Sequence, residues 1–122
     1  MRVDELETPV PVVDIDRLKA NISRLQTYLN KHGIANRPHI KTHKIPQIAQ
    51  MQIDAGAVGI TCQKVSEAEV MADAGFTDIF IPYNIVGEKK LARLMGLAKR
   101  VTVSVTADSA VVIRGLSQSA QR

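Results

Sequence analysis

Four short β-prone runs recur at a nearly constant interval, and that interval constrains the fold more than any other feature. They are Arg37 to Lys41, Val58 to Cys62, Asp78 to Pro82 and Val101 to Val105, with starts 21, 20 and 23 residues apart. A stretch with helical spacing of apolar residues follows each run. Ile45 to Ala55 carries Ile48, Met51 and Ala55 on one face, and Ser66 to Ala74 carries Ala68, Met71 and Ala72. Gly87 to Ala98 carries Leu91, Leu94, Met95 and Ala98, and Asp108 to Ser119 carries Val111, Val112 and Leu116. Strands alternating with helices of this length predict βαβ units, hence an α/β fold with a parallel sheet and right-handed crossovers. The pairs Gly56-Ala57 and Gly75-Phe76 fall where the helix-to-strand turns belong.

A different pattern precedes the repeat. Pro9 to Ile15 (PVPVVDI) is valine-rich and opens on prolines, which predicts a short edge strand. Asp14 or Asp16 then caps a helix. Its apolar face is Leu18, Ile22, Leu25 and Leu29, and Gly33 is its stop.

Composition narrows the function. The 122 residues include 45% hydrophobic and 23% charged side chains, which suits one small soluble domain. Sixteen Lys and Arg against twelve Asp and Glu leave a charge of only +4. The four aromatics (Tyr28, Phe76, Phe80, Tyr83) lie outside the basic clusters, so a nucleic-acid partner is not expected. No run approaches the ~20 apolar residues of a transmembrane helix. The N-terminal MRVDELETPV lacks the apolar run of a signal peptide. The single cysteine, Cys62, forms no internal disulfide, which points to an intracellular, cytoplasmic protein. Cys62 itself reads as a small core residue.

The segment with the most chemistry is RPHIKTHK, Arg37 to Lys44, with three cations and two histidines. It runs off the C-terminal end of the first repeating strand, the edge where parallel α/β folds gather ligands and catalytic groups. In an extended chain His39, Lys41 and His43 share one side. A partly desolvated lysine among other cations has a lowered pKa, and a neutral amine is what Schiff-base chemistry requires. A solvated basic loop is the plain alternative. A two-histidine metal site has too few ligands for zinc. Gln63 and Asn84 follow the next two strands and face the same crevice on this reading; turn and cap roles are their alternative.

These residues carry a family resemblance. ETPVPVVDIDRLKANI near the start, RPHIKTHK, and GAVGITCQKVSEAEVMADAGFTDIFIPYNIVG from Gly56 to Gly87 stand in order and spacing. Together they resemble fold-type III pyridoxal-phosphate enzymes, specifically the D-threonine aldolase and D-serine dehydratase group related to the alanine racemase N-terminal domain. The resemblance implies the N-terminal half of a (β/α)₈ TIM barrel, about four βα units, preceded by a short strand and helix. It implies that Lys41 binds pyridoxal 5'-phosphate covalently, with Lys44 the weaker candidate, and that His39, His43, Gln63 and Asn84 line the cofactor site. The implied reaction is retro-aldol cleavage of a D-β-hydroxy amino acid to glycine and an aldehyde. D-serine dehydratase-like or racemase chemistry is the alternative, as is a non-catalytic cofactor-binding or interaction module.

The resemblance also sets expectations for what lies outside these residues. Family members use a divalent metal whose ligands belong to a C-terminal β-domain, so no metal ligand is assigned here. Residues 1–15 are expected to supply a strand to that domain, and residues 16–122 a partial barrel. The full-length family implies a homodimer. A whole barrel needs roughly 250 residues. The chain is therefore expected to be the front part of a longer enzyme, with little or no activity alone; a complete short half-barrel that binds something else is the competing reading.

Overall fold

The computed structural model describes residues 2–121. Helix α1 (Ile15–Lys31) starts at Asp14, whose Oδ1 accepts from the Asp16 and Arg17 amides at 3.1 and 3.0 Å. That is an N-cap satisfying two otherwise orphaned donors. The helix stops where Gly33 takes φ +65° and the Ile34 amide reaches back to the Leu29 carbonyl.

The repeat then unfolds as expected: α2 (Pro46–Asp54), β1 (Ile60–Thr61), α3 (Val65–Asp73), β2 (Asp78–Asn84), α4 (Glu88–Ala98), β3 (Thr102–Thr106) and α5 (Ala110–Ala120). The three strands form one parallel sheet in the order β1-β2-β3. Ile60 pairs with Ile79, and Ile79 with Val103, so the rungs align across all three. The α/β class and the βα alternation therefore stand.

The first repeating strand is a correction. Arg37 to Lys41 forms a single bridge, His39 to Thr61, and then a 3₁₀ turn over Ile40–Thr42. Two local causes act together. Pro38 has no amide to donate to a ladder, although its carbonyl still accepts from Thr61 at 2.8 Å. The His39 ring Nδ1 accepts the Lys41 amide at 3.3 Å, which starts the turn. The predicted strand at Pro9–Ile15 is also absent. A strand exists only by pairing, and among the described residues this segment has no ladder partner. Val12 and Val13 are consequently exposed.

The core is packed between the sheet and its helices. Ile40, Ile60, Cys62, Ile79 and Ile81 are fully buried, with Met71 of α3 and Leu94 and Leu97 of α4 against them. Alternation along β2 buries Ile79 and Ile81 and leaves Asp78 and Phe80 partly open. Helix α1 departs from expectation. Leu25 is exposed and Leu18, Ile22 and Leu29 are only half-buried, while the buried residue is Gln26. Its amide group donates to Asn30 Oδ1 (2.8 Å) and to the Gly56 carbonyl (3.2 Å), and accepts from Asn36 Nδ2 (2.9 Å). α1 is thus tied to the α2–β1 turn by a polar group rather than by its apolar row.

Gly59 shows how tightly the lower end of the sheet is built. A Cβ there would stand 2.1 Å from Arg37 Nη1 and 2.8 Å from the Asp78 carbonyl oxygen. The arginine tip can swing aside; the backbone oxygen cannot. Gly59→Ala is expected to destabilise the fold by about 2 kcal/mol or more, read as a lowered urea midpoint. A midpoint equal to that of the unaltered chain would contradict this packing.

Candidate functional site

The ladder determines which loops share an edge. His39, Thr61 and Phe80 occupy one rung. Lys41 and Gln63 each lie two residues beyond it, and Asn84 closes β2 on the same C-terminal side. Three of the expected site residues are therefore brought to one end of the sheet by register alone.

The cations of RPHIKTHK separate into three roles. Arg37 belongs to the opposite, N-terminal end. Its guanidinium forms a two-pronged pair with the Asp78 carboxylate, both contacts at 2.8 Å. Lys44 turns to Glu67, Nζ to Oε1 at 3.0 Å. Lys41 is exposed and makes no ion pair among the described residues. The partial desolvation expected of it is not present.

The 3₁₀ turn also overturns the expected side-sharing of His39, Lys41 and His43. His39 is half-buried and caps the turn through Nδ1. His43 swings away into a groove of about 410 Å³ between α1 and α2, beside Ile22, Leu25, Ile48 and Gln52. Its Nδ1 accepts the Ile45 amide at 3.0 Å. Its Nε2 and the Gln52 Oε1 are buried without a hydrogen bond of ordinary geometry. Burial lowers the His43 pKa, with attraction to Gln52 opposing the shift. Gln63 and Asn84, by contrast, meet in one cavity of about 190 Å³ with Ser66, Tyr83, Lys90 and Arg93. Neither Lys41 nor His39 lines that cavity.

Cys62 is fully buried, and burial pushes its thiol up to about 12, with the Glu67 charge adding to the effect. It is a core residue, as its surroundings in the sequence suggested. Glu67 was not among the expected site residues. Besides holding Lys44, its Oε2 accepts the Gln63 amide at 2.9 Å. The sequence does contain a signal for this: a glutamate inside the first turn of a helix commonly reaches back to an amide just before it. Burial raises its carboxyl, but the hydrogen bonds it accepts from Lys44 and the Gln63 amide, together with the charges of Lys44 and Lys64, outweigh burial and hold it below the usual range.

A parallel sheet of βα units that brings its strand-end loops to one C-terminal edge defines a class, the α/β folds that place ligand and catalytic groups on that edge. Within that class the family is definite. Residues 13–122 match the model of the alanine racemase N-terminal domain, and the chain belongs to that family. It is 43% identical over 114 residues to a D-threonine aldolase of Arthrobacter sp., covering 93% of this chain and 30% of that protein. It is 37% identical over 118 residues to a D-threo-3-hydroxyaspartate dehydratase of Delftia sp. strain HT23, covering 93% of this chain and 31% of that one. The crystal structure of D-threonine aldolase from Filomicrobium marinum superposes with a TM-score of 0.95 at 40% identity, over 98% of this chain and 32% of that chain. The chain thus spans about a third of the length of these relatives. No helix among the described residues is long and apolar enough to cross a membrane.

The Arg37–Asp78 pair gives a pH prediction. The guanidinium, chiefly through its hydrogen bonds, holds the Asp78 carboxyl below its ordinary range. A folded pKa below the unfolded one means the pair's stabilisation is complete above about pH 4 and is lost as pH falls through the folded value. The stability gap between the unaltered chain and Asp78→Asn should therefore narrow from about pH 6 to about pH 3. Urea midpoints at each pH measure it, and a gap that stays constant would refute the coupling.

Proposed function

We propose that this chain carries the cofactor lysine of a pyridoxal-phosphate-dependent lyase acting on D-β-hydroxy amino acids. The observation that carries the reading is Lys41: an exposed amine without a carboxylate partner among the described residues, on the loop at the C-terminal end of the sheet. The names of the Arthrobacter and Filomicrobium relatives, both D-threonine aldolases, support cleavage as the reaction. The Delftia relative, a dehydratase, supports β-elimination as the second reading.

The residues present suit an anionic aldehyde. Lys41 supplies the nucleophilic amine, and Lys64 and Lys90 add positive charge at the neighbouring strand end, while Lys44 and Arg93 are paired with Glu67 and Glu69. When bound, pyridoxal phosphate supplies an electron sink for charge developing at the amino acid α-carbon. The chain's own groups do the positioning. His39 holds the turn that presents Lys41, since its ring accepts the Lys41 amide. Gln63 and Asn84 offer neutral donors and acceptors in one cavity. His43, turned into the α1–α2 groove, braces the same loop from behind through the Ile45 amide. Among the described residues no three His, Cys, Asp or Glu side chains converge.

The purified chain mixed with pyridoxal phosphate and reduced with borohydride is expected to carry the label on Lys41 by peptide mapping. Lys41→Ala should lose that label and the accompanying visible absorbance. Equal labelling spread over the surface lysines would defeat the assignment. With D-threonine and a divalent metal added, little or no turnover is expected of this chain alone, and glycine release at an enzymatic rate would overturn that expectation.

A further inference from the structure

Two lysines stand three residues apart on one loop, Lys41 and Lys44, and a third, Lys64, opens the neighbouring helix. All three are exposed. An aldehyde discriminates poorly among exposed amines unless something occupies the wrong ones. Glu67 is placed to occupy one of them, Lys44. Its side chain is only 9% exposed, and both of its oxygens are engaged, one by Lys44 Nζ at 3.0 Å and the other by the Gln63 amide at 2.9 Å. It also feels the charge of Lys64. Lys44 reaches it from an unusual backbone. Its φ of 56° is the one positive value at a non-glycine residue among those described, and its amide is held by the Ile40 carbonyl at 2.8 Å. A side chain in that region is strained, and such strain persists only where surrounding contacts enforce it. Here the enforced turn sends Lys44 toward Glu67, while Lys41, three residues earlier, has no carboxylate partner among the described residues.

We propose that Glu67 selects Lys41 over Lys44 as the cofactor lysine by holding the Lys44 amine in an ion pair. The inference rests on the assignment of Lys41 above and deepens it. An amine joins the aldehyde by attack of its nitrogen lone pair on the carbonyl carbon; a C=N bond forms and water leaves. An ammonium has no lone pair. Lys44 must leave its carboxylate partner before it can react, and Lys41 has no such partner to leave among the described residues. Glu67 is a positioning residue in this account. Through the Gln63 amide it also links the two loops that carry the candidate site.

The test is competitive labelling of the whole chain. Pyridoxal phosphate is added, borohydride delivers hydride to the C=N carbon and fixes it as a secondary amine, and peptide mapping counts label at Lys41, Lys44 and Lys19. Lys19, exposed on α1, reports ordinary surface reactivity. In Glu67→Gln the Lys44 label should rise about fivefold relative to Lys19, the ratio expected for loss of one partly exposed ion pair. Circular dichroism and the thermal midpoint check that the variant is folded. The unaltered chain supplies a second arm that needs no variant: screening loosens the pair, so the Lys44 label should climb with salt relative to Lys19. If Glu67→Gln does not fold, the salt arm decides. A Lys44 label that stays flat while Lys41 is labelled overturns the role of Glu67 alone. Absence of label at Lys41 in the unaltered chain overturns the cofactor assignment and this inference with it.

Discussion

Strand β2 hydrogen-bonds on both sides, and its register decides where the loops of the molecule open. Ile79 pairs with Ile60 on one side and Val103 on the other, so the rung that begins at His39 continues through Thr61 and Phe80 to Ser104. A parallel ladder cannot slip by one residue without turning Ile79 and Ile81 out of the core. Both are fully buried, which makes the register costly to change. Lys41 and Gln63 lie on loops two residues past the common rung and Asn84 is the last residue of β2, so the register alone brings these three to one end of the sheet.

The charges of the chemistry-bearing segment are arranged by the same geometry. Arg37 lies before the common rung and pairs with Asp78 at the start of β2, where it occupies the space above Gly59. Lys41 and Lys44 lie after it, Lys44 paired with Glu67 and Lys41 without an ion pair among the described residues. A segment that looks like a uniform basic patch is therefore an N-terminal clamp, an open amine and an anchored amine within eight residues. The two histidines divide likewise. His39 starts the turn from within the chain, and His43 turns outward to the α1–α2 groove.

Much of the fold was legible because it depends on periodicity. The spacing of the four runs implied the βα alternation, and Leu91 and Leu94 or Ala68 and Met71 marked buried faces correctly. What failed depended on partners that periodicity does not encode. Pro9 to Ile15 has strand composition but no ladder partner among the described residues, and Leu25 has helix-face spacing but is exposed. In the site, strand-end position led to one crevice shared by Lys41, Gln63 and Asn84, whereas the cavity that Gln63 and Asn84 line does not include Lys41. Alternation misplaced His43, because a 3₁₀ turn seeded by His39 and Pro38 replaces the extended chain that alternation assumes. Glu67 stayed hidden as one more acid in a helix's first turn, since nothing in its spacing shows that Lys44 doubles back to meet it.

The burial of Cys62 has a practical consequence. It is the only cysteine in the chain, it follows directly on β1, and its amide is bonded to the Phe80 carbonyl at 2.8 Å. With no accessible surface and a thiol that burial keeps protonated, it is silent toward thiol reagents while the sheet is closed. Any modification must wait for the β1–β2 ladder to part. The rate at which a thiol reagent consumes this one sulfur is therefore an intrinsic clock for opening of the sheet, read without adding a label or altering a residue.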